Sequence, residues 1–358
     1  MITSYTARCI AVTAMAASGG ADAAEAAFGE GIDYDSLART PDELKSMVLA
    51  MAGRLGVDTL LQRSTDDLRA YLDDVAANMR RNPYHNFAHI CDVTQFVSFV
   101  ILRSGLQTTM RPAHRVGLFL AAVCHDLDHP GKSNNYQIAE QTELAVRYGN
   151  QSPLENHHLS ITTKILEKHG LLHHCAPDVR DEVLSVVQEC ILATDMAKHG
   201  SIMKRYSEIT AQESVGAFVE DLEIMLPVMT IMLKCADISN QSRPFAIATK
   251  WNQRVYQEFY LEGDADKAAG RGTNPLFDRE VNNIPKSTVG FINFVVVPLF
   301  GALRKFLVLA QREYPAMETT ALDAALECLT TNCSAHKTIV EKQDQHRALA
   351  AAKAVDDP

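Results

Sequence analysis

The stretch VGLFLAAVCHDLDHPG, Val116 to Gly131, decides the fold reading. Its first nine residues, Val116 to Cys124, are apolar enough for a buried helical segment. The run then meets His125-Asp126-Leu127-Asp128-His129 and turns at Pro130-Gly131, residues that stop a helix. Helical signals continue outward on both sides. Thr40, Pro41 and Glu43 carry an N-cap hydroxyl, a proline at the first helical position and an acid at the third. Ser64 with Asp67 and Thr210 with Glu213 repeat the capping spacing, and Leu68, Leu72, Val75 and Met79 follow at three- and four-residue steps. Segments 178–199, 214–238, 243–262 and 288–313 have the same character, and no run of alternating strands stands out. The spacing predicts an all-α, compact multi-helix bundle over residues 36–348. Nine of the seventeen residues from Ala11 to Ala27 are alanine, so residues 1–35 read as a flexible leader and 349–358 as a fraying helical tail.

The 358 residues include 34 Lys plus Arg against 44 Asp plus Glu, a formal charge of −10. With 47% apolar and 22% charged residues, a disordered or fibrous chain is excluded. The acidic balance argues against holding nucleic acid, which needs basic residues in excess, and it sets a difficulty for any anionic substrate. Eight cysteines are scattered from Cys9 to Cys333 without a C-x2-C pair, the pattern of free buried thiols. No stretch approaches the ~20 uninterrupted apolar residues of a membrane span. The start, one Arg followed by CIAVTAMAASGG, resembles a signal peptide only weakly, so a cytoplasmic protein without membrane attachment is expected.

Three separated segments carry His and Asp at spacings that suit a metal. His85 and His89 lie four apart in YHNFAH, and would share a face if a helix begins there. His125-Asp126 ends the apolar run, and Asp237 ends another in MLKCADISN. A buried carboxylate needs a cation or strong donors. Two imidazoles and two carboxylates suit zinc, and one carboxylate can bridge to a harder second ion that keeps most of its waters. Two such ions around a shared water are the usual apparatus for attacking a phosphodiester.

At these residues the chain resembles a known family. His125-Asp126 is the hallmark of the HD superfamily of metal-dependent phosphohydrolases. The string HDLDHPGKSNNY (125–136), with YHNFAH upstream and ADISN downstream, is similar to the catalytic domain of class I 3′,5′-cyclic nucleotide phosphodiesterases. The similarity covers roughly residues 60–345, with TELAVRY (142–148), SPLENHH (152–158), LATDM (192–196) and VGF (289–291) in the right order. The wording of TELAVRY, SPLENHH and ISNQSRP most resembles the cGMP-specific type 9 subfamily. The resemblance implies that His89, His125, Asp126 and Asp237 bind a tight ion, zinc. Asp126 would also bind a second, magnesium or manganese, whose waters are held by Asp128, His129, Glu155 and Thr194. His85 matches the general acid that protonates the departing O3′, while a hydroxide between the ions attacks phosphorus to give a 5′-nucleoside monophosphate. The partners implied are cGMP or cAMP and, as an option, a second copy of the chain.

The purine pocket departs from the family pattern. Phe291 is present, with Val255 and Phe259 for the opposite wall and Tyr84 and Asn240 nearby, but the family's base-pairing Gln is replaced by Thr288. A hydroxyl cannot make a two-point amide contact, and losing it costs on the order of 1–3 kcal/mol. Base recognition is therefore expected to weaken or relax, with Gln241 a candidate for compensation. The rival readings are another HD-type phosphohydrolase acting on a nucleotide polyphosphate or monoester, and a degenerate domain that binds nucleotide with little turnover. Two divalent ions and two carboxylates leave about +2 of local charge for a cyclic phosphate and a hydroxide. Global acidity thus does not oppose one small phosphodiester.

Overall fold

A computed structural model describes residues 31–211 and 221–356. Helices α1 (Pro41–Leu55), α2 (Val57–Leu61), α3 (Thr65–Ala77), α4 (Phe87–Arg103), α5 (Pro112–Cys124), α6 (Asn134–Ala139), α7 (Glu143–Arg147), α8 (Pro153–Lys168), α9 (Pro177–Leu192), α10 (His199–Thr210), α11 (Leu222–Asp237), α12 (Phe245–Ala268), α13 (Ile284–Phe291), α14 (Val297–Ala310) and α15 (Thr320–Asp356) follow one another, with no strand among the described residues. The all-α expectation holds. Thr40 and Ser64 each form the capping box read from their spacing. Thr210, the third capping position, is the last residue of a helix. It closes α10 and donates to the Tyr206 carbonyl. Its partner in that reading, Glu213, lies outside the described residues. The segment expected as one helix over 178–199 breaks after Leu192, because the Asp195 side chain accepts from the Ala197 N–H and opens a new turn.

Helix α4 is the hub. Every residue from His89 to Ile101 is buried, as a helix enclosed on all sides must be. The opening stretch forms the second half of α5, where Val116 to Cys124 are all buried. Helix α5 lies against α9, and Gly117 permits their close approach: a Cβ there would sit 2.7 Å from the Val186 Cβ. Helix α11 packs on α4, α5 and α9, and Met225, Met229 and Met232 of its methionine-rich run are in the core. Each large side chain buried here contributes roughly 1.5–3 kcal/mol. The N-terminal end of α4 and the C-terminal ends of α5 and α11 therefore meet at one place.

Helices α13 and α14 are joined by a π-turn, Ile292–Val296, into one rod of 27 residues. By length and composition this rod could cross a membrane, contrary to the expectation that no stretch comes close. One side of it, Ile292, Val296, Leu299, Phe300 and Leu303, belongs to the main core.

Behind the site lies a buried ion pair. Arg243, fully buried, contacts Asp92 of α4 at 3.1 Å and donates to Gln95 Oε1 at 2.6 Å. Ser36 also donates to Asp92, Arg243 reaches the Ile32 carbonyl, and Tyr34 is buried beside them. Folded structure therefore begins before residue 36, earlier than the proposed leader boundary. The rest of that stretch, residues 1–30, lies outside the described residues. At the other end α15 stays helical through Asp356, past the expected fraying point at 349. Burial pushes the Asp92 carboxyl up, and Arg243 opposes the push. Asp92→Asn leaves the guanidinium without its counter-charge in the interior, so urea unfolding should show a loss of about 3–5 kcal/mol.

Candidate metal centre and active site

His89, His125, Asp126 and Asp237 converge. Their ligand atoms all lie within 4.8 Å of one another. His89 Nε2 is 3.2 Å from Asp237 Oδ1 and 3.3 Å from Asp126 Oδ2, and His125 Nε2 is 3.4 and 3.3 Å from the same two atoms. Local structure explains each placement. Asn86 caps α4 by accepting from the Ala88 and His89 N–H groups, which fixes His89 in the first turn. His125 follows the last residue of α5, and its Nδ1 bonds the Ala122 carbonyl at 2.9 Å. That contact puts the proton on Nδ1 and leaves the Nε2 lone pair facing the cluster. Burial alone would raise both carboxyls. His125 beside Asp126, and the imidazoles of His125 and His89 beside Asp237, outweigh it and hold both well below the ordinary carboxylate range.

The residues present fit a metal ion. Asp126 Oδ2 and His125 Nε2 are buried without a hydrogen-bond partner, a costly arrangement unless a cation takes their lone pairs. Two imidazole nitrogens and two carboxylate oxygens make a four-donor set of the kind zinc takes.

His85 is not on the helical face with His89. Helix α4 begins at Phe87, so His85 stands before it. What orients it is Glu258 of α12, buried at 4% exposure, which binds His85 Nδ1 and accepts from the Tyr84 and His85 N–H groups at 3.0 and 3.1 Å. The imidazole also stacks on His129, with ring centroids 3.8 Å apart. Burial opposes its charged form, but Glu258, Asp126 and Asp237 prevail and push it up to about 9. A buried anionic cluster thus faces a protonated donor.

Residues 84–320 match the family model described as 3′5′-cyclic nucleotide phosphodiesterase. The chain belongs to that family. It is 36% identical over 284 residues to the high affinity cGMP-specific 3′,5′-cyclic phosphodiesterase 9A of Mus musculus, covering 79% of this chain and 51% of that protein. It is 32% identical over 228 residues to the 3′,5′-cyclic-AMP phosphodiesterase isoform F of Drosophila melanogaster, covering 62% and 34%. The crystal structure of the phosphodiesterase domain of the RhoPDE fusion protein from Salpingoeca rosetta superposes with a TM-score of 0.80 at 26% identity, covering 93% of this chain and 99% of that one. The chain spans about half the length of the first of these relatives.

Around this phosphodiesterase centre, His129 accepts from the Gly131 N–H at Nδ1, so its neutral ring carries the proton on Nε2 and can hold a water. Glu155 is buried, and the Asn134 amide nitrogen donates to its carboxylate, 3.1 Å from Oε1 and 2.9 Å from Oε2. Burial pushes it up to about 7, the Asn134 amide opposing the rise and the Asp195 carboxylate adding to it. Thr194 is buried, its hydroxyl donating to Ile191. Asp128 adopts the left-handed backbone at φ 57°, and its carboxylate binds Arg80 and His157, Oδ1 accepting from Arg80 and Oδ2 from both. His158 also joins the cluster: its Nδ1 bonds the Leu127 carbonyl at 2.7 Å and its Nε2 lies 3.8 Å from Asp126. Glu258 and His158 carried no distinguishing pattern in the sequence beyond the ENHH run of 155–158.

Of the residues expected around the purine, Val255, Phe259 and Phe291 are half-buried. Tyr84, Asn240 and Gln241 are not available in that way. Tyr84 packs on Trp251, its hydroxyl bonded by Asn240, and the Gln241 amide donates to Asn240 and Asn252. All three are buried, so Gln241 offers no amide N–H to a purine. Thr288 is buried as well, its hydroxyl donating to the Ile284 carbonyl at 2.8 Å.

Alanine at His125 or Asp237 removes one of the four donors, so the divalent metal retained per chain after dialysis should fall. Elemental analysis beside an unchanged far-ultraviolet spectrum checks this.

Proposed function

We propose that this chain hydrolyses 3′,5′-cyclic nucleotides, cGMP and cAMP, to 5′-nucleoside monophosphates with two divalent ions, a tight zinc and a magnesium or manganese. One observation carries the reading: a buried two-His, two-Asp cluster beside a histidine whose second nitrogen is held by a buried glutamate. The names of the matched relatives, which specify cGMP or cAMP, support it.

His89, His125, Asp126 and Asp237 would hold the tight ion, and Asp126 the second. Bound ions supply Lewis acidity and lower the pKa of water. The remaining work belongs to the chain. Glu258 fixes His85 through Nδ1, so Nε2 carries the mobile proton. As a water oxygen attacks phosphorus and the P–O3′ bond breaks, His85 gives that proton to O3′. His129 stacks beside His85 and keeps its ring from turning. The low local proton affinity of Asp126 and Asp237 keeps both as acceptors throughout.

Hydrolysis of cAMP and cGMP should stop with a chelator and return when zinc and magnesium are restored. Turnover of GTP or deoxynucleoside triphosphates alone, or of nothing under any metal condition, would overturn the reading. His85→Ala should lower kcat by ~10²–10⁴-fold while leaving metal content unchanged.

The pH profile gives a separate check. His85 must be protonated to act and Glu258 favours its charged form, so kcat should decline on the alkaline side of the profile. Glu258→Gln removes the charge that stabilises the imidazolium, and the alkaline limb should move to lower pH.

A further inference from the structure

We propose that Glu262 of α12 is a positioning residue for His85: it anchors the turn that follows His129, and so holds the His129 ring against the imidazole that gives up its proton. The proposal rests on the cyclic nucleotide reading above. Glu262 stands one turn beyond Glu258 on the same face of α12, and both are buried at 4% exposure. Its carboxylate reaches across to Ser133. Oε2 accepts from the Ser133 N–H and Oε1 from the Ser133 hydroxyl, each at 2.6 Å. Beside this pair Lys132 Nζ donates to the Leu261 carbonyl at 2.5 Å, so two consecutive residues of the turn are tied to two consecutive residues of α12. Ser133 also caps α6, its hydroxyl oxygen accepting from the Tyr136 N–H at 3.2 Å. That cap needs only the serine oxygen, whereas burying a carboxylate beside it is costly unless both oxygens find donors.

Between these ties and the ring the turn has little freedom. Gly131 takes the left-handed backbone at φ 71°, and its N–H donates to His129 Nδ1 at 3.0 Å. A Cβ there would sit 2.9 Å from Asn82 Oδ1. Asn82 in turn donates from Nδ2 to the carbonyls of both His129 and His85, at 2.7 and 3.0 Å, and so joins the backbones that carry the two stacked rings. Helix α12 therefore holds His85 through Glu258 and the far end of the His129 turn through Glu262. The single helical turn between the two glutamates is the spacer that sets the stack. Releasing Glu262 lets the His129 ring shift, and His85 loses the surface that keeps its second nitrogen aimed at the leaving oxygen.

Steady-state kinetics on cAMP, cGMP and their 3′-thio analogues, in which sulfur replaces the bridging O3′, test this. A thiolate departs without being protonated, so the analogues bypass the proton of His85 while using the rest of the site. Glu262→Ala should lower kcat on the natural nucleotides ~10-fold with KM within about twofold, and lower kcat on the thio analogues by less than about threefold. Glu262→Gln should recover kcat to within about threefold of the wild type, since its Oε1 accepts from the Ser133 N–H and its amide donates to the Ser133 hydroxyl oxygen. Ser133→Ala keeps the N–H bond alone, so its kcat should fall ~3-fold, and it decides the matter if the alanine variant at Glu262 does not fold. Retained divalent metal, measured by elemental analysis, should match the wild type in all three. The proposal is overturned by an unchanged kcat in Glu262→Ala or Ser133→Ala, by equal losses on natural and thio substrates, by a glutamine variant no better than alanine, or by a loss of retained metal. No turnover of either natural nucleotide by the wild-type chain overturns the activity reading itself and this proposal with it.

Discussion

Burying two carboxylates where three helices meet is the constraint around which the rest of the molecule is arranged. Asp126 and Asp237 cannot keep their charge in an apolar interior without partners. His89 arrives from the first turn of α4, His125 from the end of α5 and Asp237 from the end of α11. The apolar faces that pack these helices therefore also fix the site. Deeper in, Asp92 and Arg243 meet the same constraint by closing on each other. The contrast is informative. The inner pair is neutralised within the chain, with Ser36 and Gln95 as further partners, whereas the outer cluster leaves lone pairs on Asp126 and His125 turned toward the site.

Much of this was legible in the sequence because the signals were local. An apolar run ending in His125-Asp126 can be read without knowing its neighbours, and so can the caps at Thr40 and Ser64. The four metal donors were legible as a set because each ends or begins a strongly apolar element. Glu258 was hidden for the opposite reason. A glutamate among Gln257, Phe259 and Glu262 looks like any solvated helix position, and its burial follows only from where α12 packs. The partners of Asp128 were hidden in the same way: its motif places it beside the metal ligands, and only the fold brings Arg80 and His157 to its carboxylate. The shared face of His85 and His89 failed on a single residue, since Asn86 is the cap and leaves His85 outside the helix.

The chain's acidity and its chemistry operate at different ranges. A charge of −10 spread over the surface is screened within about 10 Å at moderate ionic strength. Inside the site the relevant charges are a few buried groups at hydrogen-bond distance, where screening is weak. His85 illustrates the point: it is held cationic by Glu258, Asp126 and Asp237, whatever the remote surface carries.

The order of the donors along the chain has a consequence for how the protein is made. His89, His125 and Asp126 leave the ribosome more than a hundred residues before Asp237, and His85 emerges 173 positions before the Glu258 that orients it. For much of its synthesis the nascent polypeptide therefore carries an incomplete donor set with no fourth ligand. A thiophilic or imidazole-seeking metal captured at that stage would meet two histidines and one aspartate in an open geometry. Metal selection by this fold is consequently a late event, imposed when α11 docks.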